Sequence, residues 1–147
     1  MRAVLTRVKN ASVTVDGKVI GKIGPGFLIL LGITHEDTEA QAVKLADKLM
    51  GLRIFEDENG KLNRNLQDVG GSVLCISQFT LYADCKKGNR PSFTKALAYE
   101  DARVLYDCFC ETLLKTIPVE RGIFGADMKI DFINDGPVTI VLDSQCL

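Results

Sequence analysis

Apolar and polar positions alternate with a period of two through RAVLTRV and ASVTV, close to the start of the chain, which marks strands with one buried face. Asp16-Gly17 separates ASVTV from KVIGKI. A two-residue type I′ turn needs positive φ at both central positions, so this pair predicts a hairpin. Gly24-Pro25-Gly26 predicts the next turn, with proline at its first central position and glycine at its second. FLILLGI follows and is apolar on both faces, so it predicts a strand in mid-sheet that is covered on both sides.

The period then changes to that of a helix, twice. Thr38 and Gln41 have the spacing of a capping box. They open a predicted helix that runs to about Met50, with Ala42, Leu45, Ala46 and Leu49 on one face and Gly51 as a left-handed cap. A second helix is predicted from about Tyr99 to Lys115, with Ala102, Leu105, Tyr106, Phe109 and Leu113 on its core face. Between the two, LRIF reads as a strand, EDENGK as a polar turn, LNRNLQDVGG as a loop and SVLCISQFTLY as a strand. Three more strands are expected around VERGIF, MKIDFI and VTIVLD. The last is entered through Gly136-Pro137, and proline, which gives no N–H to a ladder, suits a strand's first residue.

The pattern describes a single α+β domain over residues 1–147, a mostly antiparallel β-sheet or barrel with two main helices. Two helices cannot obviously cover both faces of FLILLGI. Either the sheet closes into a barrel or a second copy of the chain lies over it, and the pattern favours a homodimer.

Composition narrows the picture. A chain of 147 residues can bury roughly 70% of its unfolded surface and needs no staples. The net charge is −1, so a polyanion would have to be met by a local patch. No apolar run reaches the ~18 residues of a membrane span, and MRAVLTRVKN lacks a signal peptide's apolar stretch. Five cysteines, with no C-x-x-C pair, read as reduced cytosolic usage and not as a disulfide frame or zinc site. His35 is the one histidine, and it is expected to be exposed and without a catalytic partner.

Two stretches carry candidate chemistry. Ser77-Gln78-Phe79-Thr80 interrupts an apolar strand with two hydroxyls and an amide. A serine or threonine nucleophile needs an adjacent base, and none stands beside it in sequence. A hydrolytic site here must work through positioned backbone N–H groups or a group brought by the substrate. The second stretch is DCKKGNRPS, where Lys86, Lys87 and Arg90 fall on a loop broken by glycine and proline. A cationic loop leaving a polar strand end suits a phosphate-bearing substrate. No P-loop and no G-x-G-x-x-G occurs, which argues against ATP and dinucleotides.

SQFTLYADCKKGNRPSF, FGADM and NDGPVT, with the opening RAVLTRVKNASVTVDG and then GPGFLILLG, resemble the D-aminoacyl-tRNA deacylase family, also called D-tyrosyl-tRNA deacylase. The similarity runs in order from Met1 to about Ser144. It implies a cytosolic homodimer without metal or cofactor that hydrolyses the ester joining a D-amino acid, or glycine, to the 3′-terminal adenosine of tRNA. Ser77, Gln78, Phe79 and Thr80 correspond to the family's S-Q-x-T stretch. Gly136 and Pro137 correspond to its Gly-Pro motif, whose peptide bond is cis and which enters the partner subunit's pocket to reject L-amino acids. Phe124 corresponds to a residue of the adenosine pocket, and Arg7 to an arginine supporting the Gly-Pro loop. The resemblance also implies attack by water, assisted by the tRNA 2′-hydroxyl. From the residues alone, two other readings stay open. One is a non-catalytic RNA- or amino-acid-binding module. The other is a serine or threonine esterase with small acyl substrates.

Overall fold

The computed structural model describes residues 1–147. The elements, in order, are strands β1 (Arg2–Val15), β2 (Lys18–Ile23) and β3 (Gly26–Gly32), helix α1 (Glu39–Met50), strands β4 (Phe55–Glu56), β5 (Leu62–Arg64) and β6 (Ser72–Ser77), a 3-10 turn (Phe79–Tyr82), helix α2 (Tyr99–Leu114), strands β7 (Val119–Arg121) and β8 (Lys129–Asp143), and a closing 3-10 turn (Ser144–Cys146). The architecture is α+β with two helices, as the periodicities require.

β1 organises the sheet. β8 lies antiparallel along one edge for nearly its whole length. On the other edge β3 pairs with the first half of β1 and β2 with the second, both antiparallel. β6 then adds parallel to β3, and β7 parallel to β6. The sheet curls until its ends meet. A Cβ on Gly21 of β2 would stand 3.3 Å from the Arg121 carbonyl oxygen of β7, so the barrel is nearly closed.

Closure explains how FLILLGI is covered within one chain. Phe27, Ile29 and Leu31 pack with Leu45 and Leu49 of α1 and Phe109 of α2 in the larger core. Leu28 points to the other side, into a smaller core with Val13, Leu74 and Ile76 inside the barrel. A second copy is therefore not needed as a lid for this strand.

The hairpin at Asp16-Gly17 forms with φ of 48° and 74°. The Thr38–Gln41 capping box forms, and the four expected residues of α1 are its buried ones. The core face of α2 is likewise the expected one, with Cys110 added.

Six local expectations change. Gly26 has φ of 159°, far from the roughly +80° of a type II turn, and its role is steric. A Cβ there would lie 1.8 Å from the Ser72 carbonyl oxygen, where β3 and β6 touch. Gly51 caps α1 in right-handed geometry, with φ of −79°. LRIF contributes only Phe55 to a strand, and its Ile54 carbonyl accepts instead from Arg7; LNRNLQDVGG in turn supplies β5. SVLCISQFTLY leaves the sheet after Ser77, because its partner β3 stops at Gly32 and Leu81 packs against that glycine. Finally, MKIDFI and VTIVLD are one strand, β8, and not two.

Candidate active site

β6 delivers Ser77 and Gln78 to one end of the sheet, where the Gln78 N–H makes the last ladder bond, 2.8 Å to the Leu31 carbonyl. Beyond it the chain tightens into the 3-10 turn, and a cleft of about 560 Å³ opens. Ser77, Gln78 and Phe79 form one wall, and Phe124 and Met128 another. Its lining is mainly apolar, with a few polar groups, Ser77, Gln78 and Asp127 among them, as small-molecule sites commonly are.

Thr80 sits on the turn but outside the lining, exposed. Its Oγ1 accepts a hydrogen bond of 2.5 Å from Gln78 Nε2. An amide cannot take up a proton, so this contact orients the hydroxyl without activating it. Within the turn, the N–H groups of Phe79 and Thr80 precede the first internal acceptor pair, Gln78 O with Leu81 N, and so have no partner there.

Phe124 is held from two sides. Tyr99 and Tyr106 meet its ring edge to face at 5.1 and 5.5 Å. The Tyr99 hydroxyl donates to the Phe124 carbonyl at 3.2 Å, and the Tyr106 hydroxyl donates to the Cys75 carbonyl at 2.7 Å. Burial pushes both the Tyr106 hydroxyl and the Cys75 thiol up, so these groups stay protonated and structural.

Arg7, Gly136 and Pro137 form a second group, outside the lining of the cleft. Thr6 pairs with Thr139 and Val8 with Asn134, so residues 135–138 are extruded from β8 opposite Arg7. Gly136-Pro137 therefore lies in a bulge inside a strand and not at a strand's mouth. The peptide bond between them is cis. The buried Arg7 guanidinium donates from Nε to the Asp135 carbonyl at 2.9 Å and from Nη1 to the Ile54 carbonyl at 2.7 Å. Val138 N–H donates to Asn134 Oδ1 across the base of the bulge at 3.2 Å. Gly136 and Pro137 themselves are exposed.

The cationic loop is closed at its base by two backbone bonds between Asp84 and Ser92, of 2.7 and 2.9 Å. Asp84 also pairs with Lys95 at 3.0 Å and accepts from the Lys86 N–H. Lys86, Lys87 and Arg90 take part in none of the ion pairs of the protein. His35 is exposed, and its Nε2 lies 3.0 Å from the Thr94 carbonyl, where it ties down the chain after this loop. Phe93 and Tyr99 line the cleft too, and neither was expected there. Phe93 follows the cationic loop directly, which is the one signal that could have found it.

The cleft and the cationic loop thus sit at one end of the sheet in a two-helix α+β domain. The chain belongs to the family described as D-Tyr-tRNA(Tyr) deacylase, which it matches over residues 4–143. It is 57% identical over 146 residues to the D-aminoacyl-tRNA deacylase of Clostridium botulinum (strain 657 / Type Ba4), covering 99% of this chain and 98% of that one. It is 56% identical over 146 residues to the D-aminoacyl-tRNA deacylase of Thermus aquaticus, covering 99% and 96%. The solved structure of a c-Myc DNA Unwinding Element Binding Protein superposes with a TM-score of 0.91 at 45% identity, over 97% of this chain and 98% of that one. A probable eukaryotic D-amino acid tRNA deacylase shares the fold, with a TM-score of 0.82 at 18% identity over 96% and 97%.

Proposed function

We propose that the protein hydrolyses the ester bond joining a D-amino acid to the 3′-terminal adenosine of tRNA. The observation that carries this reading is full-length identity above one half to D-aminoacyl-tRNA deacylases. Water adds to the ester carbonyl, the bond to the 3′-oxygen breaks, and the proton passes to that oxygen. The products are free D-amino acid and tRNA. The only side chain bonded to the Thr80 hydroxyl is an amide, which favours attack by water, assisted by the vicinal 2′-hydroxyl, over a threonine nucleophile. The N–H groups of Phe79 and Thr80 are suited to receive the developing oxyanion.

Selection against L-amino acids is assigned to the Gly136-Pro137 loop. Carbonyl groups of this loop would take the substrate's α-ammonium and place an L side chain against backbone. Glycine has no side chain to reject, so glycyl-tRNA is accepted. Because Gly136 and Pro137 stand outside the cleft of their own chain, a homodimer would complete the site, one copy supplying the loop to the other. The exposed Phe132, Ile133 and Val141 on the free edge strand β8 support such pairing. Lys86, Lys87 and Arg90 would hold tRNA phosphates, and the reaction belongs in the cytoplasm, where charged tRNA is found.

The test is incubation with D- and L-aminoacyl-tRNA charged with the same side chain. Rapid release of the D-amino acid with the L ester spared is expected. Binding of both without turnover would leave a non-catalytic RNA-binding module as the better reading. Release of both at equal rates would favour a general esterase.

A further inference from the structure

Phe79 and Phe93 meet edge to face at 5.1 Å on the rim of the cleft, with ring centroids brought together from the 3-10 turn and from the segment after the cationic loop. Large apolar side chains in contact with each other are ordinarily buried. These two stay 57% and 40% exposed. Cleft filling does not require that exposure, since the floor is already closed by Leu31, Ile76 and Ala102.

Their surroundings indicate what lies against them. The Asp84–Ser92 backbone pair closes the loop immediately before Phe93, so the unpaired cations Lys86, Lys87 and Arg90 project from a base that is one residue away from the ring. An exposed aromatic platform beside unneutralised cations is how proteins hold unpaired polynucleotide chains, with bases stacked on the rings and phosphates on the cations. A protein partner that buried the rings would have to bring carboxylates of its own to Lys86, Lys87 and Arg90 to offset their desolvation. A strand of phosphates balances them directly.

We infer that Phe79 and Phe93 form a stacking platform for the unpaired nucleotide that precedes the terminal adenosine at the 3′ end of the RNA. This rests on the deacylase reading for the identity of the RNA, and it adds a site outside the aminoacyl and adenosine positions. The platform reads the base as a planar ring, so it tolerates any base and acts on the affinity for the strand. It has no part in choosing the amino acid.

Equilibrium binding, with no hydrolysis involved, separates the platform from the reaction. The probes are a short single-stranded RNA ending in CCA, the 3′ sequence common to tRNAs, and adenosine alone. For Phe93→Ala, affinity for the RNA is expected to fall about tenfold, the usual size of one lost base–aromatic stack. Affinity for adenosine should change less than twofold. Phe93→Tyr, which keeps a planar ring, should restore the RNA affinity, whereas Phe93→Leu, similar in bulk and apolar, should not. Equal losses for both probes would overturn the inference in favour of a wall residue of the adenosine pocket. Unchanged RNA affinity would overturn it outright. So would a change in oligomeric state for Phe93→Ala with RNA affinity following it, since the ring would then belong to a contact between copies. Failure of the protein to cleave D-aminoacyl-tRNA would count against the deacylase reading and leave the RNA-binding comparison able to decide this one.

Discussion

Arg7 Nε donates to the carbonyl oxygen of Asp135 at 2.9 Å, so a buried cation on β1 grips the backbone just before Gly136-Pro137. The same guanidinium reaches the Ile54 carbonyl and stacks 5.9 Å from the Phe55 ring. One planar fork thus fixes the bulge of β8 against the segment after α1. Lysine has a single donor point and cannot span both carbonyls. Arg7→Lys should cost about 2–3 kcal/mol of stability by leaving a buried carbonyl unsatisfied. It should also lower kcat/KM for D-aminoacyl-tRNA and narrow the preference for D over L substrate. Urea unfolding and paired D/L assays check this. Wild-type stability in the variant would show that water replaces the lost bond.

Gly136 offers a sharper test of the same loop. Its φ is 138°, and a Cβ there would lie 2.7 Å from Val138 Cγ2 and 2.9 Å from the Val138 nitrogen. The nitrogen belongs to backbone and cannot turn aside, so Gly136→Ala must shift the bulge. A shift of this kind, on the order of 1 Å, can cost about 10²-fold in rate when a reacting group is misplaced. The expectation is a loss of that order in kcat/KM with the far-ultraviolet spectrum unchanged. Full activity in the alanine variant would remove this loop from the substrate site.

Thr80→Ala separates two mechanisms. A hydroxyl that only receives a hydrogen bond from Gln78 is dispensable to chemistry, so hydrolysis should fall no more than about tenfold. Loss of a true nucleophile costs several orders of magnitude. Rapid-quench assays with mass spectrometry give the second readout, and a trapped acyl group on Thr80 would disprove attack by water.

How much of this was legible beforehand follows from the range of each signal. The faces of α1 and α2 and the double burial of β3 could be read because periodicity records burial directly. The continuity of β8 could not, since Asn134 to Pro137 reads as a break; β1, pairing on both sides of the bulge, carries the strand across it. The polar interruption at Ser77 to Thr80 was visible, but its 3-10 form depends on β3 ending at Gly32, far away in sequence. Phe93 and Tyr99 stayed hidden because each meets its aromatic partner, Phe79 or Phe124, only once the chain has folded. Closure of the sheet and a second copy were both open as the cover of FLILLGI, because curling of the sheet is a property of the whole ladder and leaves no mark on one strand.

The cationic loop should govern affinity and leave chirality alone. Replacing Lys86, Lys87 and Arg90 together by alanine should raise KM for charged tRNA. It should also lessen the slope of log affinity against log salt by roughly 2–3, because fewer counterions are released. The ratio of D to L hydrolysis should hold. An unaltered slope would mean that these side chains face solvent only.

The closure of that loop is tied to Asp84. The Lys86 N–H, with the Lys95 ammonium second, holds the Asp84 carboxyl below its ordinary value of 3.8. A carboxylate depressed in the folded state stabilises the fold above its unfolded value and loses that contribution as pH falls through the folded value. The loop should therefore be closed throughout the neutral range and should loosen only below pH 3.8. Amide resonances of Lys86 and Ser92 report it: both should titrate together, with a midpoint under 3.8, and exchange faster with solvent past that midpoint. In Asp84→Asn the acid transition should vanish, and the Lys86 amide should exchange faster already at neutral pH, because a neutral amide oxygen is a weaker acceptor than a carboxylate. A midpoint at or above 3.8 would show that neither the N–H nor Lys95 acts on the carboxylate, and that the two backbone bonds to Ser92 close the loop unaided.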